Sequence, residues 1–415
     1  MHASDRIFPL DALRGFAVMG ILLMNIVSFA MPEQAYINPA AWGGQGAADI
    51  AAWAIAWVLF DGKMRGLFSL MFGASMLLVI DRAEMSGGDG RRTHMRRAFW
   101  LFWFGLAHYL LLWWGDILML YALVGMVALL FVGKEPIALV KWAFAAFALH
   151  FLIVAAIMAP LYAYQHAASQ PGASAETVQG FAAMAAALGK PGTQAIMEQA
   201  AIYRSGFSAI FAHELHAFPA AFPAMLLYFG LDTLGFMLLG MAMLKGGFLT
   251  GGWDGEQYRR TARHCFLIGL SPMIALAAWV LLSGFDTLAT FGALMAWSFP
   301  FRIPLTVGYA ALFQWIIGRA QGHWLVIRIA AAGRAAFSNY LGTSLVMCAI
   351  FYGWGLGLFG KVDRAPLYLF VLLAWALMLL WSKPWLDRFA YGPMEWLWRS
   401  LARGKLQPMR KSVPR

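Results

Sequence analysis

Charge is what this chain has least of. Asp, Glu, Lys and Arg make up 12% of 415 residues and hydrophobic residues 61%, against about 25% charged in soluble globular domains. A water-soluble enzyme is excluded by that balance. Cysteine is nearly absent: Cys265 and Cys348 are the two present, each in or beside an apolar run, so no disulfide framework and no CxxC or zinc-type spacing exists. Phosphate-cradling GxxxxGK[ST] and the GxSxG elbow are missing as well. The GxGxxG match at Gly355–Gly360 ends an apolar run instead of following a strand, which argues against an ATPase, an α/β-hydrolase and a Rossmann oxidoreductase. Low-complexity tracts and short-period repeats are likewise absent.

What is present is a series of apolar runs. Read at about 17–25 residues per crossing, they fall at 9–29, 65–81, 98–114, 116–133, 138–160, 223–244, 264–283, 289–318, 335–358 and 365–382. The expected fold is an all-α polytopic membrane protein of about ten transmembrane helices. The net charge of +11 is not a nucleic-acid footprint, because the basic residues sit in clusters between apolar runs. Arg82, Arg91, Arg92, Arg96 and Arg97 crowd one connection, Lys245, Arg259, Arg260 and Arg263 another, and Arg319, Arg328 and Arg334 a third. With ten crossings these share a side with the tail's Arg388, Arg399, Arg403, Lys405, Arg410, Lys411 and Arg415, which puts both termini in the cytoplasm of a bacterial inner membrane.

The expected organisation is one transmembrane domain, 1–385, with external loops 30–64 and 161–222, and a basic cytoplasmic tail, 386–415. Stretches Ala182–Leu188, Gln194–Ile202 and Asp49–Phe60, the last with Trp53 and Trp57 on one face, read as short interfacial helices on the external side. Pro300-Phe301-Arg302-Ile303-Pro304 breaks the eighth segment. The first apolar run is too long for a signal-peptide core and lacks a small-x-small cleavage site, so Met1–Arg415 is read as the mature chain.

The stretch Arg6–Asn25, RIFPLDALRGFAVMGILLMN, is the most informative. Asp11 and Arg14 at i, i+3 share a helix face and neutralise each other, while Gly15 and Gly20 leave room for a neighbouring helix. This L-D-x-L-R-G-(apolar)-N pattern resembles the opening helix of the YeiB-like integral membrane family, a domain of unknown function. Further matches lie at Lys63–Gly73, Gly105–Leu120, Gly333–Leu341 and Gly392–Trp398. The resemblance implies kinship with transmembrane acyltransferases, which include heparan-glucosaminide acetyltransferase and the bacterial type-three acyltransferases.

Polar groups inside apolar segments are the candidates for chemistry, since each needs a partner or water. His108 lies near the outer end of its segment and Asp116 just past the following turn. A carboxylate that orients an imidazole makes a general base; the alternative is a buried His with Asp116 capping the next helix. His213-Glu214-Leu215-His216 is not HExxH and has no third ligand, so no metal is expected. The acetyltransferase's external-loop histidine has no counterpart between Asn25 and Lys63; Asn38 stands nearby, and Asn25 occupies the place of the type-three enzymes' histidine.

Arg14, Arg302 and Arg334, with Asn339 of Ser338-Asn339-Tyr340, are the expected holders of cytoplasmic acyl-CoA; Asn339 is equally read as helix glue. Asp11, Lys63, Arg65, Trp114, His213 and His216 are expected to meet substrate or lipid. The leading expectation is transfer of an acyl group, acetyl first, from acyl-CoA to an external or lipid-linked hydroxyl or amine. His108 and Asp116 would act as base, with Asn25 or Asn339 at the oxyanion. A transporter or exporter of a small organic or lipid substrate, motivated by the Pro-broken segment with Arg302, is the alternative; a scaffold is a third reading. The partners expected are membrane lipid, a glycan or lipid-linked acceptor, and a second copy of the chain as a homodimer.

Overall fold

The computed structural model describes residues 7–411; Arg6, at the head of the first informative stretch, and Arg415 in the tail lie outside them. The described residues fold into helices and turns with no strand. In order these are α1 (Phe8–Ala30), α2 (Glu33–Ile37), α3 (Ala47–Leu59), α4 (Lys63–Met85), α5 (Gly90–Leu111) and α6 (Leu118–Ala128). Next come α7 (Pro136–Ala168), α8 (Ala175–Ala187), α9 (Gln194–Tyr203), α10 (Phe207–Lys245) and α11 (Gly255–Leu282). The last are α12 (Thr287–Gly292), α13 (Phe299–Arg319), α14 (Trp324–Arg334), α15 (Ala336–Phe351), α16 (Leu367–Arg388) and α17 (Pro393–Arg403).

Among the described residues, six stretches are long and apolar enough to cross a membrane: α1, the α3–α4 stretch, α7, α10, α11 and α16. Shorter apolar helices occupy Leu118–Phe131, Thr287–Trp297 and Ala336–Phe351. Each of the ten expected segments is helical over most of its length. The eighth differs in where it breaks. Pro300 sits in the first turn of α13 and Pro304 is carried inside it; the irregularity comes earlier, as a π-helical turn over Ala293–Trp297. Besides the short α2, two helices are new relative to the sequence reading. Residues Trp324–Arg334, expected as a basic connection, form α14, and the tail contributes α17.

α1 runs through the middle of the bundle, against α4, α13, α14, α15 and α16. Glycine makes the closest of these approaches possible. A Cβ on Gly15 would collide with the carbonyl oxygen of Ile329, and one on Gly333 with that of Asp11. α4 and α10 cross in the same way, where a Cβ on Gly73 or Gly240 would meet the backbone of Met237 or Leu70.

The bundle has two chemically different ends. At the basic end lie the start of α1, the turns joining α4 to α5 and α10 to α11, and α17; Ile7 and Phe8 pack there with Phe248 and Leu249. The opposite end is capped by α2, α3, α9 and the 352–366 loop. Gly360 N donates to Ala30 O at 2.6 Å and Gly353 N to Tyr203 O at 2.8 Å. Arg364 donates to Ala35 O at 2.7 Å, and burial pushes its guanidinium down to about 10. The Trp53–Trp57 face of α3 packs inward, buried against Met273, Ala277 and Val280 of α11.

Candidate functional site

At the basic end a cavity of about 260 Å³ opens between α1, α4, α5, α6, α14, α15 and α17. Its outer part is lined by five arginines, Arg14, Arg82, Arg97, Arg334 and Arg399, against two carboxylates, Asp11 and Glu395. Its inner part is apolar and aromatic, with Phe68, Phe72, Leu101, Tyr121 and Tyr340. Such a space suits an amphiphile with an anionic head, because guanidinium forks match phosphate oxygens.

The i, i+3 spacing in α1 does what it predicts: Arg14 and Asp11 pair at 3.0 Å, and Arg14 also donates to Ser75 Oγ at 2.8 Å. α17 supplies the other wall. Trp398 Nε1 donates to Arg97 O at 2.8 Å, and the Arg97 guanidinium lies 3.9 Å over the Trp398 ring. Glu395 accepts from Phe337 N at 2.7 Å, Ser338 N at 3.2 Å and Ser338 Oγ at 2.5 Å, so it caps the first turn of α15 from another helix. Burial raises the Glu395 carboxyl above its ordinary value, against these hydrogen bonds, which lower it. Burial pushes the Arg399 guanidinium down, with Arg403 and Arg14 acting the same way.

Deeper in, α5 and α6 form a tight antiparallel pair joined by Trp113-Trp114-Gly115. His108 Nδ1 and Asp116 Oδ1 are 2.9 Å apart, both side chains buried. Asp116 Oδ2 accepts from Met119 N at 2.9 Å, so one carboxylate both caps α6 and orients the imidazole. Gly105 permits the arrangement, since a Cβ there would stand 2.8 Å from Asp116 Oδ2 and 2.6 Å from Met119 N. His108 Nε2 is buried and has no hydrogen-bond partner. The His108 ring packs 5.2 Å from that of Tyr340, and Tyr340 forms part of the cavity wall. Asn25 lines a separate void of about 10 Å³ that Tyr340 also borders, room for about one water.

Not every expected residue joins this site. Arg302 is corrected: it is not beside Arg14 and Arg334 but at the opposite end, where it donates to Ser298 Oγ at 2.7 Å and to Leu294 O and lies 3.9 Å from Asp61. Lys63, expected to meet an external anion, is fully buried and donates to Trp57 O at 2.7 Å. Arg65 is committed to Asp232 and Thr233 on α10. Asn339 donates to Ala332 O at 3.0 Å and Ser382 Oγ at 3.2 Å and accepts from Trp381 Nε1 at 2.8 Å, so the helix-glue alternative describes it. Asn38 is likewise structural, its side chain bonded to Phe285 O and Ala40 N. Of the HELH residues, Glu214 is buried on Tyr203, His213 packs by the same ring and His216 is exposed. Trp114 is half-buried against Trp113.

Sequence reasoning missed Glu395, Arg97, Arg399 and His94 as cavity residues. A signal existed for the first: Glu395 is the lone acid in Gly392–Trp398, and the tail beyond Asp387 is otherwise free of acids.

Comparison with known proteins places the chain among bacterial membrane proteins. The family described as "Protein of unknown function (DUF418)" matches residues 243–405. The chain is 33% identical over 405 residues to the "Uncharacterized protein YeiB" of Escherichia coli (strain K12), covering 96% of each. It is 31% identical over 423 residues to the "Uncharacterized protein YxaH" of Bacillus subtilis (strain 168), covering 99% of this chain and 97% of that one. The resemblance first seen in the opening helix therefore extends through the whole molecule, and the chain belongs to the YeiB-like DUF418 family of polytopic membrane proteins.

Proposed function

We propose that this protein is a transmembrane acyltransferase that uses acyl-CoA held in the arginine-lined cavity and His108 as general base toward a hydroxyl or amine acceptor. The observation that carries the reading is the buried His108–Asp116 pair with an unpartnered Nε2, packed on the tyrosine that walls the cavity. A volume of about 260 Å³ lies below the ~300–1,000 Å³ of pockets for drug-sized ligands. It therefore suits part of an acyl-CoA: the phosphates at the arginines and the thioester arm among the inner aromatics.

The bound thioester supplies an activated acyl carbon. Asp116 fixes the Nδ1–H tautomer, leaving Nε2 to accept the proton of the acceptor O–H or N–H as that atom bonds to the acyl carbon. The C–S bond then breaks, and the imidazolium returns its proton to the departing thiolate. Asn25, which lines the small void that Tyr340 also borders, would donate its amide to the oxyanion.

The test is a transfer assay on purified protein with acetyl-CoA and a panel of hydroxyl and amine acceptors, paired with melting curves. Ligand binding only the folded state raises stability by about 2.7 kcal/mol at a hundredfold excess over Kd. H108A is expected to abolish transfer while keeping the acetyl-CoA shift, and R14A to lose the shift. Transfer undiminished in H108A would remove His108 from the mechanism.

The π-helical turn before α13 favours a second reading, transport or export of a small organic or lipid substrate, since irregular membrane helices commonly line substrate paths. Cargo accumulation in proteoliposomes without acyl-CoA supports transport; strict acyl-CoA dependence overturns it.

A further inference from the structure

Apart from the His108 site, the bundle interior holds a second set of titratable side chains that acyl transfer does not use. Its centre is Asp232 on α10, 2% exposed, with Oδ1 lacking any hydrogen-bond partner. Asp232 Oδ2 is bound by Arg65 of α4, which also donates to Thr233 Oγ1 at 3.3 Å.

Opposite Asp232 stands His150 of α7. The two helices run antiparallel: Lys245 donates to Val132 O at 3.0 Å, and the Phe147 ring fills the space a side chain on Gly235 would take. One turn on in α7 and one turn back in α10, that register brings His150 to Asp232. His150 is 3% exposed, and its Nδ1 also has no partner.

From this centre polar groups continue both ways. Toward the cavity, Tyr121 Oη of α6 and Ser69 Oγ lie 2.9 Å apart and 3.3 and 2.9 Å from Arg65 O, so their two hydrogens are shared among three contacts. Tyr121 itself lines the cavity. Toward the opposite end, the His150 ring packs 4.3 Å from Phe299, and Arg302, three residues on, faces Asp61 at 3.9 Å. Asp61 accepts from Tyr36 Oη of α2 at 2.6 Å and keeps Oδ2 unbonded. Arg65 is the hub: its guanidinium binds Asp232 and Thr233, and its carbonyl oxygen meets Ser69 and Tyr121.

Burying an ionisable group in a membrane is costly, so such groups are rare there. Pairing alone does not explain a column that leaves oxygens and nitrogens unbonded along its length. We propose that these residues form a proton relay through the bundle, from Tyr36 and Asp61 at the opposite end through His150 and Asp232 to Tyr121 on the cavity wall. The proton is the sole species moved. It is taken up at Asp61, carried as imidazolium at His150 and carboxylic acid at Asp232, and released through the Ser69 and Tyr121 hydroxyls, after which every group regains its starting charge. Arg65 beside Asp232 and Arg302 facing Asp61 contribute fixed positive charge that balances the two carboxylates. The inference is independent of acyl transfer.

The test reconstitutes the full chain in liposomes of phosphatidylethanolamine and phosphatidylglycerol enclosing a pH-sensitive dye, with a potassium gradient and valinomycin imposing a voltage. Proton influx several-fold above protein-free liposomes is expected, returning to the protein-free rate in D232N and falling in H150Q. E256Q, on the exposed start of α11, is expected to match the unaltered protein. Size-exclusion profiles check that each variant is folded, and H150Q decides the case if D232N is not. Influx equal to protein-free liposomes, or unchanged in the folded variants, overturns the relay.

Discussion

A single carboxylate, Asp116, both caps α6 and holds the imidazole of His108, so the choice of substitution separates the two jobs. In D116N the amide oxygen still accepts from Met119 N, while the amide nitrogen donates to His108 Nδ1 and leaves Nε2 protonated. Transfer is expected to fall by ~10²–10⁴ with the melting temperature nearly unchanged, a split read from initial rates and a thermal scan. This pair was legible in the sequence because its members are joined by one short turn, and so was Asp11–Arg14, whose geometry one helix face dictates. Arg302 was not legible. It lies near the start of α13 and Arg319 at the end, roughly 25 Å apart at 1.5 Å per residue, and no local pattern says at which end of a bundle a helix begins.

At the scale of elements, contacts between helices rest on missing side chains and on caps lent from elsewhere. Gly240 lies against Leu70 backbone that cannot rotate away, so G240A is expected to cost about 1–3 kcal/mol through overpacking, measured by thermal unfolding in detergent. Glu395 holds two backbone N–H groups of α15; E395A is expected to cost about 1–3 kcal/mol. The pH dependence has a definite sign. Because burial raises this carboxyl above 4.5 in the folded state, its contribution is fully present below that value and lost as pH rises through the folded one. E395Q should flatten that decline, and an equally steep decline in E395Q would assign it to another group. The cap could not be read beforehand, because its partners are 57 and 58 positions apart in the chain.

At the scale of the whole molecule, the alternation of apolar runs and basic clusters exposed the helical membrane architecture, whereas the cavity arises only when distant helices meet. Its arginines come from α1, α4, α5, α14 and α17, and in sequence they look like the ordinary positive charge of connections and tail. The same basic end predicts orientation. A cysteine placed at Gly404, just past α17, should react with a membrane-impermeant maleimide only after inner-membrane vesicles are inverted or cells are lysed. One placed at Gln170, in the turn between α7 and α8, should react in intact cells, and the reverse pattern would invert the assignment of the cavity to the cytoplasm.

The position of α17 also sets the order in which the site is made. A ribosome that has released every long apolar helix, through Arg388, has still not delivered Glu395, Trp398 or Arg399, so the start of α15 is uncapped and the Arg97 guanidinium has no indole beneath it. A chain cut short at that point would insert and bury its apolar faces, yet have no closed cavity. Closure of the cavity wall thus waits on α17, the last helix among the described residues.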